Sequence, residues 1–446
     1  MNRFFESIRN IFTIKELRNR ILLTLALLFI YRFGCYVVLP GIDPAALNNL
    51  QSQSGKGIMG MFDLFAGGAF SRAAIFALGI MPYISTSIVM QLLTLAVPYF
   101  QKLQKEGESG RKKITNYTRI GTVFVTMFQA SAYVKFLTGT VPMSQDLNMF
   151  TFWLTTVACL TGGTVFVMWL GEQIQERGIG NGTSIIIMAN IIAKLPGSFI
   201  AEVQARFAAG GSGILMLMIE LALLTAVVVA TVMLIKAIRK VPLSYAKQMQ
   251  GNAAYNSSRG FLPLRVNVAG VMPIIFAQAF LFIPATVAQL FPDSSASGLL
   301  HKMTDFTSVP YNIIMFLMVV LFTYFYTALI MNPTQMADEL KRSNGYIPGV
   351  KPGASTAEYI DTILSRITLP GSIFLGLIAI MPAFAKMLGV NSQFAYFFGG
   401  TSLLILVAVV LDTMTQIETY LLNRHYDGLT QTGSRLKGRI YSDSGF

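Results

Sequence analysis

The chain has 446 residues, 53% of them hydrophobic and only 12% charged, with a formal net charge of +13 and a mean hydropathy of +0.57. A soluble globular domain carries roughly 25% charged residues, so these values exclude one and indicate an integral membrane protein. The surplus of positive charge has two readings, a nucleic-acid surface or a membrane topology signal. Its scatter over separate loops favours the second.

The first twenty residues, MNRFFESIRNIFTIKELRNR, predict a polar, amphipathic helix. No small-residue cleavage site precedes the first apolar run, so a removable signal peptide is not expected. Spanning a bilayer takes about 17–25 predominantly apolar residues. Ten such runs follow, at 21–39, 73–97, 118–138, 152–171, 183–200, 214–235, 267–291, 311–331, 367–388 and 393–412.

Five runs lie on each side of a loop at 201–213, giving halves 21–200 and 214–412 and a tail 413–446. An odd number of spans per half gives the halves opposite orientations, an inverted repeat. The second run of each half carries a matching interruption, GIMPYI at 79–84 and GVMPII at 270–275. Proline inside a span removes a backbone donor and kinks the helix, and paired interruptions mark the functional axis. Chance competes with that reading, because Met381-Pro382 repeats the dipeptide in the ninth run.

With ten spans, 26 of the 34 Lys and Arg fall on the side that holds both termini and the loops 98–119, 236–266 and 332–366. That side is therefore expected to be cytoplasmic. Cys35 and Cys159 both fall inside spans and read as small apolar residues. His301 and His425 fall on opposite sides of the membrane, so no shared metal site is expected. No GxxxxGK(S/T) phosphate loop is present, and GIGNG at 178–182 reads as a tight turn between spans. Neither an enzyme active site nor a cofactor site is expected. A coupled transporter usually needs an ionisable group near the midplane, yet Glu220 sits near an outer end and Asp412 near an inner end. The span centres offer hydroxyls, amides and isoleucines, which suit a hydrophobic constriction better than an ion site.

Several blocks, in order along the chain, carry a resemblance: GGAFSRAAIFALGIMPYIS, KEGESGRKKITNYTR, GEQIQERGIGNG, VNVAGVMP, IPGVKPG, TAEYID and FGGTSLLI. Together they resemble the bacterial SecY family, pore subunits of the Sec protein-conducting channel, from about residue 1 to 440. The resemblance implies an all-α polytopic fold of ten transmembrane helices in two inverted five-helix halves around a pore. It implies a short plug helix at 61–72 closing the pore from outside. Within it Phe65, Gly67, Gly68, Ser71 and Arg72 are singled out, and the small residues there would pack closely yet leave the helix weakly held. It implies a pore ring at Ile80, Ile84, Thr183, Ile187, Ile275 and Ile405. Ile80/Ile84 and Thr183/Ile187 each share a helix face at i, i+4 spacing. Thr183 departs from the usual isoleucine, and its hydroxyl would make the ring less dry.

The resemblance further implies a lateral gate between the second and seventh spans, with Ser85, Gln91, Gln129 and Ile283 at the seam. Hydrogen bonds from Ser85, Thr86, Ser87, Gln91 and Gln129 would close it, each worth about 0.6–2 kcal/mol in a membrane. The cytoplasmic loops would dock the ribosome and the SecA motor, with Lys247, Arg259, Lys351 and Tyr426 as contacts. Lys351 stands where the family usually has arginine and lacks its bidentate fork. The implied partners are SecE, SecG, SecA, the ribosome, signal sequences, unfolded polypeptides and lipid, in the bacterial cytoplasmic membrane. The implied role is passive conduction of unfolded chains and lateral release of hydrophobic segments. A secondary transporter and an insertion scaffold without a pore are the other readings, and the missing midplane carboxylate counts against the transporter.

Overall fold

The computed structural model describes residues 14–42, 57–140, 148–208, 211–245, 249–250, 253–254, 259–290, 305 and 307–440. Helices α1 (Lys15–Gly34), α2 (Gly57–Phe65), α3 (Met81–Ala96), α4 (Pro98–Lys105), α5 (Glu108–Thr140), α6 (Met149–Arg177) and α7 (Gly182–Ala208) come first. After α8 (Gly211–Lys236) the chain leaves the helical body for strands β1 (Ile238–Tyr245), β2 (Met249–Gln250), β3 (Ala253–Ala254) and β4 (Arg259–Arg265). Then follow α9 (Met272–Leu290), α10 (Val309–Ile330), α11 (Pro333–Arg342), β5 (Gly345–Tyr346), α12 (Ala354–Met387), α13 (Ser392–Ala395) and α14 (Gly400–Ile440). Each of the ten apolar runs holds one long helix, and among the described residues seven helices are long and apolar enough to cross a membrane by length and composition.

Helix packing repeats between the first five long helices and the last five. In the first group α1 packs on α6, α3 on α5, α5 on α6 and α6 on α7; in the second α8 packs on α12, α9 on α10, α10 on α12 and α12 on α14. The two groups meet along two seams. On one, α9 lies against α3 and α5; on the other, α7 lies against α8 and α14.

Both Met-Pro interruptions differ from the kinks expected of them. The second run is not a span broken in its middle. Its first part is a series of turns, and α3 begins at Met81 with Pro82 in the first helical turn. There the missing proline N–H has no intrahelical partner to lose. Likewise α9 begins at Met272, directly before Pro273. Two residues ahead of each Met stands a glycine with positive φ, Gly79 at +55° and Gly270 at +63°, a backbone state that penalises any Cβ. Met381-Pro382, in contrast, lies inside α12. The shared feature is therefore a glycine-turned helix start, which separates the pair from the chance match.

The described residues of the long loops include strands. β1 pairs antiparallel with β4, from Ile238↔Arg265 to Ser244↔Arg259, and with β5 at Ser244↔Tyr346. The loops 236–266 and 332–366 are thus one unit, a small sheet added to the helical body. Alternation in β1 buries Val241 and Leu243 and exposes Lys240 and Pro242. The buried pair packs with Leu264, Ile347, Ile360 and Leu364 at the base of α12.

The expected external loop 201–213 is mostly helix, because α7 runs to Ala208 and α8 starts at Gly211. The two helices are clamped there. Arg206 Nε donates to Glu202 (2.9 Å), Arg206 also pairs with Glu220, and its Nη2 donates to the Gly389 carbonyl (2.7 Å). Glu202 accepts in turn from the Asn391 backbone N–H (2.9 Å). Both carboxylates are buried, so Arg206 is their shared counter-charge. Removing one partner of a buried ion pair costs about 3–5 kcal/mol. Arg206→Met is expected to lower the thermal stability of the purified protein sharply, and adding Glu202→Gln with Glu220→Gln to recover most of the loss, read by unfolding in detergent.

Candidate functional site

The two seams leave the middle of the bundle lined by α3, α7, α9 and α14. Ile84 and Ser85 of α3, Ile187 of α7, Ile275, Gln278 and Ala279 of α9 and Ile405 of α14 surround one void there, with Phe65 and Met81. Its volume is about 10 Å³. A water molecule needs about 10–15 Å³ of such space. Four isoleucines from four helices thus meet with no room for a file of water.

Ile80 and Thr183, the other two expected ring residues, meet at a different point. Ile80 Cδ1 and Thr183 Cγ2 both lie 3.6 Å from where a Cβ on Gly171 of α6 would stand. The Thr183 hydroxyl donates to Asn181 Oδ1 at 2.6 Å. That bond turns the hydroxyl toward the start of α7, and the methyl packs at Gly171.

Phe65 reaches the void because α2 ends on it. The helix covers Gly57–Phe65, not 61–72, and Gly67 (φ +63°) and Gly68 (φ +87°) turn the chain out of helix. They act as a helix stop and also allow close packing, since a Cβ on either would crowd Asn190 or Lys194. Segment 66–80 is almost wholly buried yet non-helical, so its carbonyls need partners from elsewhere. Asn190 Nδ2 donates to the Phe65 carbonyl (2.6 Å) and to Tyr31 Oη (2.7 Å). Arg32 Nη1 donates to the Gly67 carbonyl (2.8 Å), and Tyr133 Oη to the Phe70 carbonyl (2.7 Å). Asp63 accepts from the Ser71 N–H (2.8 Å) and pairs with Lys194. Arg72 stacks over Tyr36, 4.2 Å from the ring centroid. α1, α5 and α7 each contribute a side chain to the carbonyls of this segment. Sequence reasoning missed Tyr31, Tyr133, Asn190, Lys194 and Asp63. A lysine within the apolar run 183–200 and an aspartate in an apolar stretch were the available signal.

At the α3–α9 seam, Ser85 Oγ donates to the Met81 carbonyl (3.1 Å) and Thr86 Oγ1 to the Pro82 carbonyl (2.9 Å). Both bonds stay within α3, so these two hydroxyls do not form the seam bonds expected of them. Gln91 of α3 and Gln129 of α5 are half-buried, and Ile283 falls in α9 with its side chain outside the described residues. Lys247 is likewise outside them. Arg259 lies in β4 opposite Ser244, Tyr426 falls in α14, and Lys351 is exposed. Arg239, Lys240, Arg265, Lys341, Arg342 and Lys351 form an exposed basic set on and around the sheet, and none pairs with an acid among the described residues.

A helical membrane body with an apolar central constriction and a re-entrant segment beneath it defines a polytopic membrane protein of the channel type. The SecY family model matches residues 74–414. The protein translocase subunit SecY of Escherichia coli K12 is 41% identical over 429 residues, 95% of this chain and 96% of that one. The chain belongs to the SecY family. Two solved structures share the fold: a SecY whose plug domain stabilises the closed state of the translocation channel and maintains a membrane seal (TM-score 0.61, 15% identity, 90% of this chain and 92% of that one), and Sec61 in the canine ribosome-channel complex from the endoplasmic reticulum (TM-score 0.57, 14% identity, 90% and 92%).

Two substitutions separate the constriction from the seam. Ile187→Asn places an amide on the void and is expected to raise ion leak through the idle channel in vesicles. Ser85→Ala removes a hydroxyl bonded to its own helix and should change stability by less than about 0.5 kcal/mol. A large loss with Ser85→Ala would return that hydroxyl to the seam.

Proposed function

We propose that this chain is the pore subunit of a bacterial protein translocase: a passive channel, not an enzyme, that conducts unfolded polypeptides across the membrane. The observation that carries the reading is the four-isoleucine constriction with Phe65 seated against it. A ring of apolar side chains from four separate helices blocks water and ions when collapsed. It can widen around a peptide if the helices separate, with no covalent change. The α3–α9 seam is the side through which hydrophobic segments would leave toward lipid. The Ser85 and Thr86 hydroxyls donate within α3. The opposite seam carries the Arg206 clamp, which suits it as the hinge side. The two five-helix groups would be the moving halves, with SecE spanning them and SecG at the periphery.

The single basic unit formed by β1, β4, β5 and their flanks is the docking face for a ribosome or the SecA motor. A cationic, unpaired surface attracts ribosomal RNA phosphates and acidic protein faces. On this reading both termini and the sheet are cytoplasmic, and 57–74 lies toward the outside.

A stalled nascent chain carrying a photo-crosslinker tests the central reading. It should react with a probe at Ile275 or Ile84 while its leading end is still outside the exit side. Crosslinks to lipid-facing Phe124 or Leu321 alone, with none at the isoleucines, would favour an insertion scaffold. Lys351→Glu should slow motor-driven export at least about ten-fold and spare cotranslational insertion, because charge reversal at a close pair costs several kcal/mol. Equal loss of both routes would give the loop a role in folding instead.

A further inference from the structure

α7 stacks three plug-related side chains on one stripe. Ile187, Asn190 and Lys194 are spaced i, i+3 and i+7, which is one face of a helix. Ile187 lines the central void, Asn190 holds the Phe65 carbonyl, and Lys194 pairs with Asp63. All three targets belong to a single short stretch, the end of α2 and the constriction it touches. The Lys194–Asp63 pair is largely enclosed, with side-chain exposures of 26% and 10%. Asp63 is also the internal clasp of the turn, since its Oδ1 accepts from the Ser71 N–H and its carbonyl from the Gly68 N–H (2.8 Å each).

The two glycines make this approach possible. A Cβ on Gly68 would come within 2.8 Å of Lys194 Cε, and one on Gly67 within 2.5 Å of Asn190 Oδ1. The turn is therefore shaped to lie directly on the Asn190–Lys194 stripe.

We propose that Lys194 and Asp63 form an ionic latch that holds the plug shut, with Asn190 as its second point, and that α7 couples this latch to the constriction. The latch rests on the reading of 57–72 as a plug. Ile187 and Lys194 share one rigid helix. A displacement of α7 that widens the ring therefore carries Lys194 with it and strains the pair. The reverse also holds by linkage: loosening the pair lowers the cost of opening. A latch of one partly enclosed ion pair is strong enough to bias the closed state and weak enough to release without chemistry.

The test uses the full chain with its co-purifying subunits in lipid vesicles, in a Cys35→Ala, Cys159→Ala background. A single Leu64→Cys reports plug position through its rate of maleimide labelling, and ion leak reports the seal. Asp63→Asn and Lys194→Gln should each raise labelling and leak by about two- to five-fold, the upper range expected for a modest ion pair. The double variant Asp63→Asn with Lys194→Gln, which keeps an acceptor for the Ser71 N–H, should label and leak no faster than the single variants, because both remove the same bond. Unchanged labelling in the single variants overturns the latch. So does a double variant whose increase is the product of the two single increases. Labelling that rises while the leak does not leaves the latch standing and removes the sealing role of 57–72. Thermal unfolding of each variant separates release of the plug from loss of the fold.

Discussion

The structure depends on satisfying a backbone that is neither helix nor strand yet is buried in the middle of a membrane protein. Lipid offers no hydrogen bonds, so non-helical backbone at that depth survives only where protein supplies them. The segment between α2 and α3 meets this condition in two ways. Its own turns close short bonds, such as Gly68 N–H to Asp63 and Ala74 N–H to Ala69. The surrounding helices supply the rest through Asn190, Arg32 and Tyr133. Beyond it the chain bridges to the end of α1, where Leu39 N–H donates to Ala73 and Ile75 N–H to Val37. Around this fixed segment the helices leave a centre that is apolar and nearly void.

That arrangement divides the labour of the bundle. Polar groups face the re-entrant segment and the clamp at Arg206, where they specify position. Uncharged groups, mostly apolar with Ser85 and Gln278 among them, line the constriction, where contact can be made and broken without stranding a buried charge. An apolar closure loses packing when it parts but leaves no unsatisfied polar group. On the reading proposed above, the seam would be the moving edge, while the opposite side holds two buried glutamates on one arginine.

Much of the architecture was legible in the sequence. Length and hydropathy fix the number and position of the long helices, because a bilayer demands about twenty apolar residues per crossing. The Gly-x-Met-Pro pair marked the equivalent helix starts, although reading proline as a kink placed it mid-span instead of in a first turn. The isoleucines were named through resemblance to a family, and four of the six line one void. Ile80 and Thr183 are turned instead toward Gly171, which depends on how α6 packs beside α3 and α7.

By itself, the sequence determined what each stretch of chain could be: an apolar run long enough to cross, a glycine able to take positive φ, a cation stranded among apolar residues. These are local properties, set by side-chain chemistry within a few residues. Only the tertiary structure decided which of them meet. Lys194 and Asp63 stand 131 residues apart in the chain, and β1 finds β5 across a hundred residues of intervening helix and loop. Such pairings depend on the packing of whole helices against each other, which no periodicity within one segment encodes.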